Sequence, residues 1–377
     1  MIEKFAEKHR EMTLDIVRDL CKIPAPSFGE EARAQFIKRW LEKAGAKEVY
    51  IDTVNNVIYP HCCDGSNEIT VIAAHTDTVF PDVKAYPEYG EDDTCIHCPG
   101  AGDDTSGVAV LLMTAKYFID NRLTPRGGIL FVCNSCEEGL GNLVGVRQLM
   151  KDYNGRIKRF ITYDANIGKI TTVAAGSHRY EVTVSTEGGH SYQDFGKPNA
   201  IHALSAIVQD IYSIEIPQKE GVRTTYNVGG IKGGTSVNTI AQSATMLCEY
   251  RSNDRECLDT MRLAFERIFR ARNGNGITVS VKMIGNRPCK GEVDPMLEAE
   301  MVAAYSNAVR EVTGKEATDQ IASTDANIPM SQGVAAVCIG TFVAHGTHTR
   351  EEFTEKQGLI DGLKISIKAV TALTCAQ

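Results

Sequence analysis

The stretch that most constrains the fold of this chain is the apolar run at residues 71–74, which leads directly into His75, Thr76 and Asp77. An apolar run of this kind is typical of a strand that is buried on both faces of a sheet. Such a strand delivers an imidazole and a carboxylate at the edge where it leaves the sheet. The pair is either a structural hydrogen bond or a metal ligand beside the group that orients it. The rest of the sequence has to separate these two interpretations.

The overall composition limits the kinds of protein that this chain can be. It has 377 residues, of which 43% are hydrophobic and 23% charged, as expected for a globular chain of about two to three domains. A net charge of −8 without a Lys/Arg cluster argues against a nucleic-acid partner. No apolar run is long enough to cross a membrane, and residues 1–5 lack an apolar signal segment, so we expect a cytoplasmic protein.

The twelve cysteines lack the spacing of a small disulfide-bonded scaffold, which favours reduced thiols. Two Cys-x-x-Cys pairs occur, Cys95 with Cys98 and Cys133 with Cys136. This spacing permits a structural zinc site or a redox pair at either position. Cys133 ends an apolar, strand-like run, so a core position is favoured for it. More than two zinc ions per chain would support the alternative.

Strand-like and helix-like segments alternate in the first half of the chain, which is the pattern of an α/β sheet. Helices are predicted before the first strands, at residues 1–20 and 28–43, and Ser27 with Glu30 would form the capping box of the second. Residues 81–98 are predicted to form an irregular loop. The carboxylates of this region follow the predicted strands, so we expect them at one edge of the sheet.

The character of the sequence changes after residue 175, where alternating strands, a Gly-Gly-His turn and two helices predict a small α+β layer with one exposed sheet face. The first pattern returns after residue 288, and a last helix is predicted at residues 353–373. We therefore expect residues 1–175 and 289–377 to form one α/β domain, which an inserted domain at residues 176–288 interrupts.

Acids and imidazoles collect at the predicted strand ends. Two imidazoles together with several carboxylates suit a pair of zinc ions. A Gly-x-Gly turn at residues 100–102 could cradle a phosphate, but Asp103 and Asp104 would repel a phosphate and would suit a cation instead. The candidate residues are His75, Asp77, Asp103, Asp104, Glu137, Glu138, Asp164, His345 and His348.

Five short stretches that carry these residues resemble those of the dinuclear zinc peptidases, a family that includes peptidase T, glutamate carboxypeptidase, acetylornithine deacetylase and succinyl-diaminopimelate desuccinylase. They occur in that family's order and at roughly its spacing, over essentially the whole chain. The resemblance implies an α/β fold, with a mixed-sheet zinc-peptidase catalytic domain and an inserted, ferredoxin-like α+β domain for dimerisation or as a lid. The stretches are residues 74–79, 102–107, 136–139, 163–164 and 346–353.

The resemblance also implies a set of metal ligands. His75 and Asp164 would hold one zinc ion. Glu138 and His348 would hold the other, and Asp103 would bridge the two. Three carboxylates against two dications leave the site net positive, which would lower the pKa of a bridging water so that it becomes the nucleophile. Mn²⁺ or Co²⁺ would also suit these ligands.

Two histidines compete for the second zinc ion. His348 is followed by a Thr-Arg-Glu-Glu-Phe sequence that resembles the family's C-terminal motif, and we therefore favour it. His345 would then orient a ligand or be an ordinary loop residue.

Neighbouring residues receive supporting roles from the same resemblance. Glu137 would be the general base that takes a proton from the bridging water and passes it to the leaving amine. Asp77 would hydrogen-bond the free ring nitrogen of His75 and so orient that imidazole. The peptide bond between Asp103 and Asp104 would be cis.

The inserted domain carries three further candidates. His190 lies in a Gly-Gly-His-Ser sequence that resembles the family segment whose histidine reaches the partner subunit's site and stabilises the oxyanion. An exposed turn histidine is the alternative. Asn238 would bond the substrate backbone, and Arg251 would bind a terminal carboxylate in bidentate fashion. The resemblance thus implies a homodimer formed through the inserted domain.

The family's members differ in substrate, and the ligand at position 164 is Asp rather than Glu. By analogy this favours a peptidase T-like aminopeptidase or tripeptidase, which would remove N-terminal residues from short peptides through a water bridging two zinc ions. An N-acyl-amino-acid deacylase or a carboxypeptidase of the same fold is the alternative. A further alternative is a non-catalytic metal-binding protein. Such a protein would be expected to lack a metal ligand or the general base, and the sequence lacks neither.

Overall fold

The computed structural model describes residues 1–81 and 88–375. The chain divides into two compact units, of which the first contains Met1–Ala174 with Gly291–Gln377 and the second contains Ala175–Lys290. The boundaries expected from the sequence, after residues 175 and 288, lie beside these divisions. Each unit has its own sheet and its own apolar core.

The first segment of the first unit alternates strands with helices. Its helices are α1 Ile2–Lys8, α2 Arg10–Cys21, α3 Glu31–Lys43, α4 Gly107–Asp120 and α5 Val144–Asp152. Its strands are β1 Tyr50–Ile51, β2 Val57–His61, β3 Ile69–His75, β4 Gly90–Glu91, β5 Cys95–His97, β6 Ile129–Asn134, β7 Ile157–Tyr163 and β8 Lys169–Ala174. Gly139–Gly141 forms a short 3₁₀ turn.

Three local predictions for this segment are wrong. The helix expected at residues 1–20 divides at His9 into α1 and α2. The helix expected from residue 28 begins at Glu31, and Ser27 does not cap it. The loop expected at residues 81–98 contains β4 and β5, while residues 82–87 of that prediction lie outside the described residues.

The second unit follows. It contains β9 Gly176–Ser185, β10 Gly189–His190, α6 Ala200–Tyr212, β11 Thr224–Gly233, β12 Thr239–Ile240, β13 Ser243–Ser252, α7 Arg255–Ala271 and β14 Thr278–Arg287. The strands of its main sheet lie in the order β11-β13-β9-β14, and all pairs are antiparallel. Without the short β10–β12 pair, the order of elements is strand, helix, strand, strand, helix, strand, which confirms the predicted ferredoxin-like α+β fold.

The helices of the second unit begin at side-chain caps. Asn199 accepts hydrogen bonds from the backbone N–H groups of Ile201 and His202, and Asp254 accepts one from Cys257. Such caps satisfy donors that the first turn of a helix leaves without partners. Both helices pack their apolar faces on one side of the four-stranded sheet.

The last segment completes the first unit. It contains α8 Pro295–Thr313, β15 Thr318–Ala322, α9 Asn327–Ser331, β16 Ala335–Ile339, β17 Ala344–His345, β18 Phe353–Glu355 and α10 Lys356–Thr374. The last helix therefore begins three residues later than the sequence predicts, because Phe353–Glu355 pairs as a strand with β5. None of the helices among the described residues combines the length and apolar character that a membrane crossing requires.

The eight-stranded sheet of the first unit positions the candidate site. Its order is β1-β2-β6-β3-β7-β16-β8-β15, and the four central strands from β6 to β16 run parallel. Every residue of β3 is buried. Ile72 and Ala74 join one apolar cluster, while Val71 and Ala73 join another, because successive side chains point to opposite faces of a sheet. This mixed α/β sheet confirms the predicted fold class.

The small antiparallel sheet β17-β18-β5-β4 is joined to α2 by an ion pair. Glu91 accepts hydrogen bonds from Arg18 at 3.1 and 2.8 Å, and Lys356 Nζ lies 2.6 Å from Glu91 Oε1. The bonds from Arg18 lower the pKa of Glu91 from its ordinary 4.5 to about 2. The ionised carboxylate therefore stabilises the folded state above pH 4.5, and this contribution is lost as the pH falls toward 2.

We expect Glu91→Gln to lower the free energy of unfolding by about 1 kcal/mol at neutral pH. The difference from the wild-type chain should shrink at about pH 3.5, because the carboxylate is then largely protonated in the unfolded state, whereas it is still ionised in the folded state. Urea unfolding of the wild-type and Glu91→Gln proteins at the two pH values measures this difference in the free energy of unfolding. A difference in stability that is equal at both pH values would contradict the role assigned to the Arg18–Glu91 ion pair.

Candidate metal centre

Three neighbouring strands carry predicted site residues to one edge of the large sheet. His75 is the last residue of β3, Glu137 and Glu138 follow β6, and Asp164 follows β7. In the β3–β6 pair, His75 lies opposite Asn134, the last residue of β6. Since β6, β3 and β7 are parallel, their carboxyl ends share an edge, which is where α/β proteins commonly bind ligands.

Asp103 reaches this edge from the turn before α4. The peptide bond between Asp103 and Asp104 is cis, as the resemblance implied. Glu352 holds the turn from behind: its Oε1 accepts the N–H groups of Gly102 at 2.9 Å and Asp103 at 2.8 Å, and its Oε2 accepts that of Gly100 at 2.9 Å. A Cβ atom at Gly102 would lie 2.9 Å from Glu352 Oε1 and 2.2 Å from the Cβ of Ala344, so glycine is required there.

The carboxylate of Asp103 lies between two imidazoles. Its Oδ1 is 2.9 Å from Nε2 of His75, and its Oδ2 is 3.0 Å from Nε2 of His348. The same His348 nitrogen lies 3.2 Å from Oε1 of Glu138. The structure therefore brings together His75, Asp103, Glu138 and His348. His345 is directed elsewhere, with Nε2 2.9 Å from Glu355 Oε1.

Asp164 belongs to the same electrostatic cluster. Burial raises the pKa of Asp164 well above its ordinary value, and the nearby charge of Asp103 raises it further. Burial also raises the pKa of Glu138 to about 7, again with a contribution from Asp103. The hydrogen bonds of His348 to Asp103 and Glu138 raise the pKa of that imidazole to about 10. The buried carboxylates at this edge thus repel one another, and a positive charge nearby would favour their ionised forms.

These side chains fit divalent metal ions. Carboxylate oxygens and imidazole nitrogens are the groups that bind zinc in proteins, and ligand atoms of His75, Asp103 and Glu138 all lie within 4.8 Å of one another. The two oxygens of Asp103 are directed at different imidazoles, as a carboxylate shared by two ions requires. A cation would also relieve the mutual repulsion of the buried carboxylates.

Asp77 orients more than one part of the site. Nδ1 of His75 lies 3.0 Å from the backbone carbonyl oxygen of Asp77 and 3.5 Å from its Oδ1, so the carbonyl, rather than the predicted carboxylate, is the nearer acceptor. The carboxylate instead accepts the backbone N–H groups of Glu137 and Glu138, each at 2.9 Å. The hydroxyl of Ser27 donates to it at 2.6 Å. Asp77 therefore ties the end of β3 to the segment that follows β6.

Several supporting residues carried no predicted role. The guanidinium of Arg33 is buried and donates to the carbonyls of Leu20, Ile23 and Thr76, so it fixes the residue between His75 and Asp77. Arg33 shares the apolar face of α3 with Ile37 and Leu41 at four-residue spacing, and a charged residue on an apolar helical stripe is a sequence signal that could have found it.

Asp325 lies in the loop at residues 323–326, before α9, and carried no predicted role. Asn134 Nδ2 donates to its Oδ2 at 2.7 Å. Burial raises the pKa of Asp325 to about 8, and the charge of Glu137 adds to the effect. This carboxyl group therefore lies at the end of β6, close enough to Glu137 to feel its charge.

We expect Glu352→Gln to weaken metal binding, because an amide cannot accept three backbone N–H groups with both of its terminal atoms and would release the turn that carries Asp103. Outer groups of this kind typically change metal affinity by about 10- to 100-fold. Titration with zinc against a chelating indicator measures the change. The neighbouring, exposed Glu351→Gln is the matched control and should bind as the wild-type chain does. Equal zinc affinity in the wild-type, Glu352→Gln and Glu351→Gln proteins would contradict the role of Glu352.

The second unit holds the remaining predicted residues. His190 is exposed, and its Nδ1 lies 3.3 Å from the backbone N of Tyr192. The side chain of Asn238 is also exposed and accepts a hydrogen bond from Ser236 Oγ at 3.0 Å. Arg251 forms a two-bond pair with Glu249, at 2.8 and 3.0 Å, so its guanidinium already has a carboxylate partner.

Neither Cys-x-x-Cys pair forms a disulfide bond. Cys98 is buried, and its thiol is directed at the carbonyl of Cys21 at 3.8 Å, whereas Cys95 is partly exposed. Cys133 lies in the core, as expected, and the thiol of Cys136 donates to Glu30 Oε1 at 3.2 Å. All twelve cysteines are free thiols.

Comparison with known proteins places this chain in a class of peptidases, whose members are metal-dependent hydrolases of amide bonds. Residues 71–372 match peptidase family M20/M25/M40, and the chain belongs to this family. The family is dinuclear and metal-dependent, usually with zinc.

Individual relatives are distant. Succinyl-diaminopimelate desuccinylase of Psychrobacter arcticus is 24% identical over 285 residues, which cover 67% of this chain and 65% of that protein. The match thus spans slightly less than two thirds of the relative's length. Aminopeptidase PepT of Bacillus cereus is similar in structure, with 19% identity, a TM-score of 0.72 and coverage of 97% of this chain and 98% of that one. A tripeptidase of Staphylococcus aureus gives 20% identity, a TM-score of 0.74 and coverage of 96% and 98%. At these identities the likeness to solved structures shows the fold.

Proposed function

We propose that this chain is a cytoplasmic aminopeptidase of the tripeptidase type, which removes N-terminal residues from short peptides and uses two zinc ions. The observation that carries the proposal is the carboxylate of Asp103 between the imidazoles of His75 and His348, with Glu138 beside the second imidazole. The structural likeness to an aminopeptidase and a tripeptidase supports the substrate class.

The proposed ligand roles follow from these contacts. His75 and Asp164 serve one ion. Glu138 and His348 serve the other, and Asp103 serves both. Ions held by these residues would lower the pKa of a water and polarise the substrate carbonyl.

Glu137 is the proposed general base. It lies in the segment that Asp77 fixes through two backbone N–H groups, next to the ligand Glu138. Because neighbouring side chains of an extended segment diverge, Glu138 can face the metal while Glu137 faces the reacting water. Glu137 would take up a proton from the attacking water as the water oxygen bonds to the peptide carbonyl carbon. It would then deliver that proton to the nitrogen of the leaving amine as the C–N bond breaks.

We propose further that the second unit mediates a homodimer and contributes His190, Asn238 and Arg251 to substrate binding. Strand β11 is an edge strand of its sheet, and edge strands pair readily with a second chain. Ile231 on this strand is 58% exposed. Arg251 would have to exchange Glu249 for the substrate carboxylate.

The proposed substrate class is tested by supplying the zinc-loaded chain with a tripeptide, with the same tripeptide blocked at its N-terminus, and with N-acylated amino acids. We expect hydrolysis of the free tripeptide, at least tenfold slower hydrolysis of the blocked one, and loss of all activity with a chelator. Hydrolysis of the acylated compounds alone would overturn this proposal. It would favour the deacylase alternative, to which the similarity with a desuccinylase points.

A further inference from the structure

A second group of metal-binding side chains lies away from the candidate metal centre. Ligand atoms of Asp92, Cys95 and His97 all lie within 4.8 Å of one another. Zinc binds sulfur at about 2.3 Å and nitrogen at about 2.0–2.1 Å, so the ligand atoms of one tetrahedral ion are less than about 4 Å apart. The separation in this group is therefore close to that which one ion needs.

The turn before β5 fixes the carboxylate of Asp92. Its Oδ1 accepts the backbone N–H groups of Thr94 at 2.7 Å and Cys95 at 2.8 Å. Its Oδ2 lies 2.9 Å from Nε2 of His97. One carboxylate oxygen is thus held by the backbone while the other is directed at an imidazole, which is how hydrogen bonds commonly orient a metal-binding carboxylate.

The strand fixes the thiol and the imidazole on one face. Cys95 and His97 are two residues apart in β5, so their side chains point to the same side of the small sheet. The ring of His97 packs against that of Phe353, with centroids 5.1 Å apart. Glu355 lies opposite Cys95 in the strand register and therefore on the same face, but its carboxylate is paired with His345 at 2.9 Å, so a water would complete the coordination.

We propose that Asp92, Cys95 and His97 form a separate, mononuclear site for a divalent transition metal of the zinc or cobalt type. A thiolate and an imidazole favour such ions over calcium or magnesium, which prefer oxygen ligands alone. The bound ion links the turn at Asp92 to strand β5 and so stabilises the β4–β5 hairpin. The site shares no residue with the candidate metal centre and does not depend on the proposed peptidase activity.

Cobalt distinguishes the two sites. The proposed ligands of the metal centre are nitrogen and oxygen atoms only, whereas the new site contains a thiolate. We expect Co²⁺ added to the metal-stripped, full-length chain to produce a thiolate-to-cobalt charge-transfer band in the near ultraviolet. The band should be absent in Cys95→Ser, and in His97→Gln it should require at least tenfold more Co²⁺. Cys62→Ser removes an exposed thiol outside the group and is the control, in which the band should persist.

Zinc counting gives an independent measurement on the same chains. After equilibration with zinc, Cys95→Ser should hold one ion fewer per chain than the wild-type and Cys62→Ser chains. Both cysteine variants and His97→Gln should hydrolyse the peptide substrate at the wild-type rate, which shows that they are folded. Absence of the thiolate band in the wild-type chain, or its persistence in Cys95→Ser, would overturn the proposal. Failure of peptide hydrolysis in the wild-type chain would instead contradict the proposed function and leave the spectroscopic result valid.

Discussion

Replacing Glu137 by Gln is expected to remove most of the hydrolytic activity while the metal content stays unchanged. Glu137 is buried, with 4% of its surface exposed, and its backbone N–H donates to Asp77 at 2.9 Å. Glutamine has nearly the same volume and keeps this backbone contact, but it cannot accept a proton. General acid–base catalysis typically contributes about 10²–10⁴-fold, so kcat should fall by that factor.

The measurement combines peptide hydrolysis with metal analysis of the same preparation. Glu138→Gln is the matched comparison, because it alters the neighbouring residue, which lies 3.2 Å from His348. We expect that variant to lose metal as well as activity. If Glu137→Gln kept the wild-type kcat with both ions bound, another residue would have to be the base.

Much of the candidate site could be predicted because its residues follow strands directly. His75, Glu137 and Asp164 each come within a few residues of the end of an apolar run, and parallel strands place such ends at one edge. The alternation of strand-like and helix-like segments likewise predicted an α/β domain interrupted by a small α+β unit, while the family resemblance implied the mixed sheet and the ferredoxin-like fold. Hydrophobic periodicity reports which side chains are buried, and burial determines these layers.

The groups that hold the ligands could not be predicted in the same way. Ser27 and Glu30 have the spacing of a capping box, which is a local pattern. In the structure, long-range contacts replace that local arrangement: Ser27 donates to Asp77, and the Glu30 carboxylate accepts the backbone N–H of Cys136 at 3.0 Å. Glu352 holds the Asp103 turn from a position about 250 residues away in the chain. No local spacing encodes such contacts, because they arise when separate elements pack together.

Replacing Asp103 by Asn is expected to have the largest effect on metal binding. The two carboxylate oxygens of Asp103 face His75 at 2.9 Å and His348 at 3.0 Å, so this side chain connects the two halves of the proposed centre. Asparagine removes one negative charge and one of the two acceptor atoms. We expect the zinc bound at this centre to fall from two ions per chain to one or fewer, and peptide hydrolysis to fall below detection. Metal analysis in a Cys95→Ser background, which lacks the separate site, and a tripeptide assay measure these changes.

Asp104 provides the matched control for this substitution, since it is the next residue in the same turn. Its Oδ2 accepts the backbone N–H of His75 at 3.0 Å, a bond that an amide oxygen can also accept. Its Oδ1 has no hydrogen-bond partner among the described residues, and an amide has nearly the same size as the carboxylate that it replaces. Asp104→Asn should therefore keep both zinc ions of this centre and most of the activity. In the Cys95→Ser background, two bound ions in Asp103→Asn, or their loss in Asp104→Asn alone, would show that Asp104 rather than Asp103 is the shared ligand.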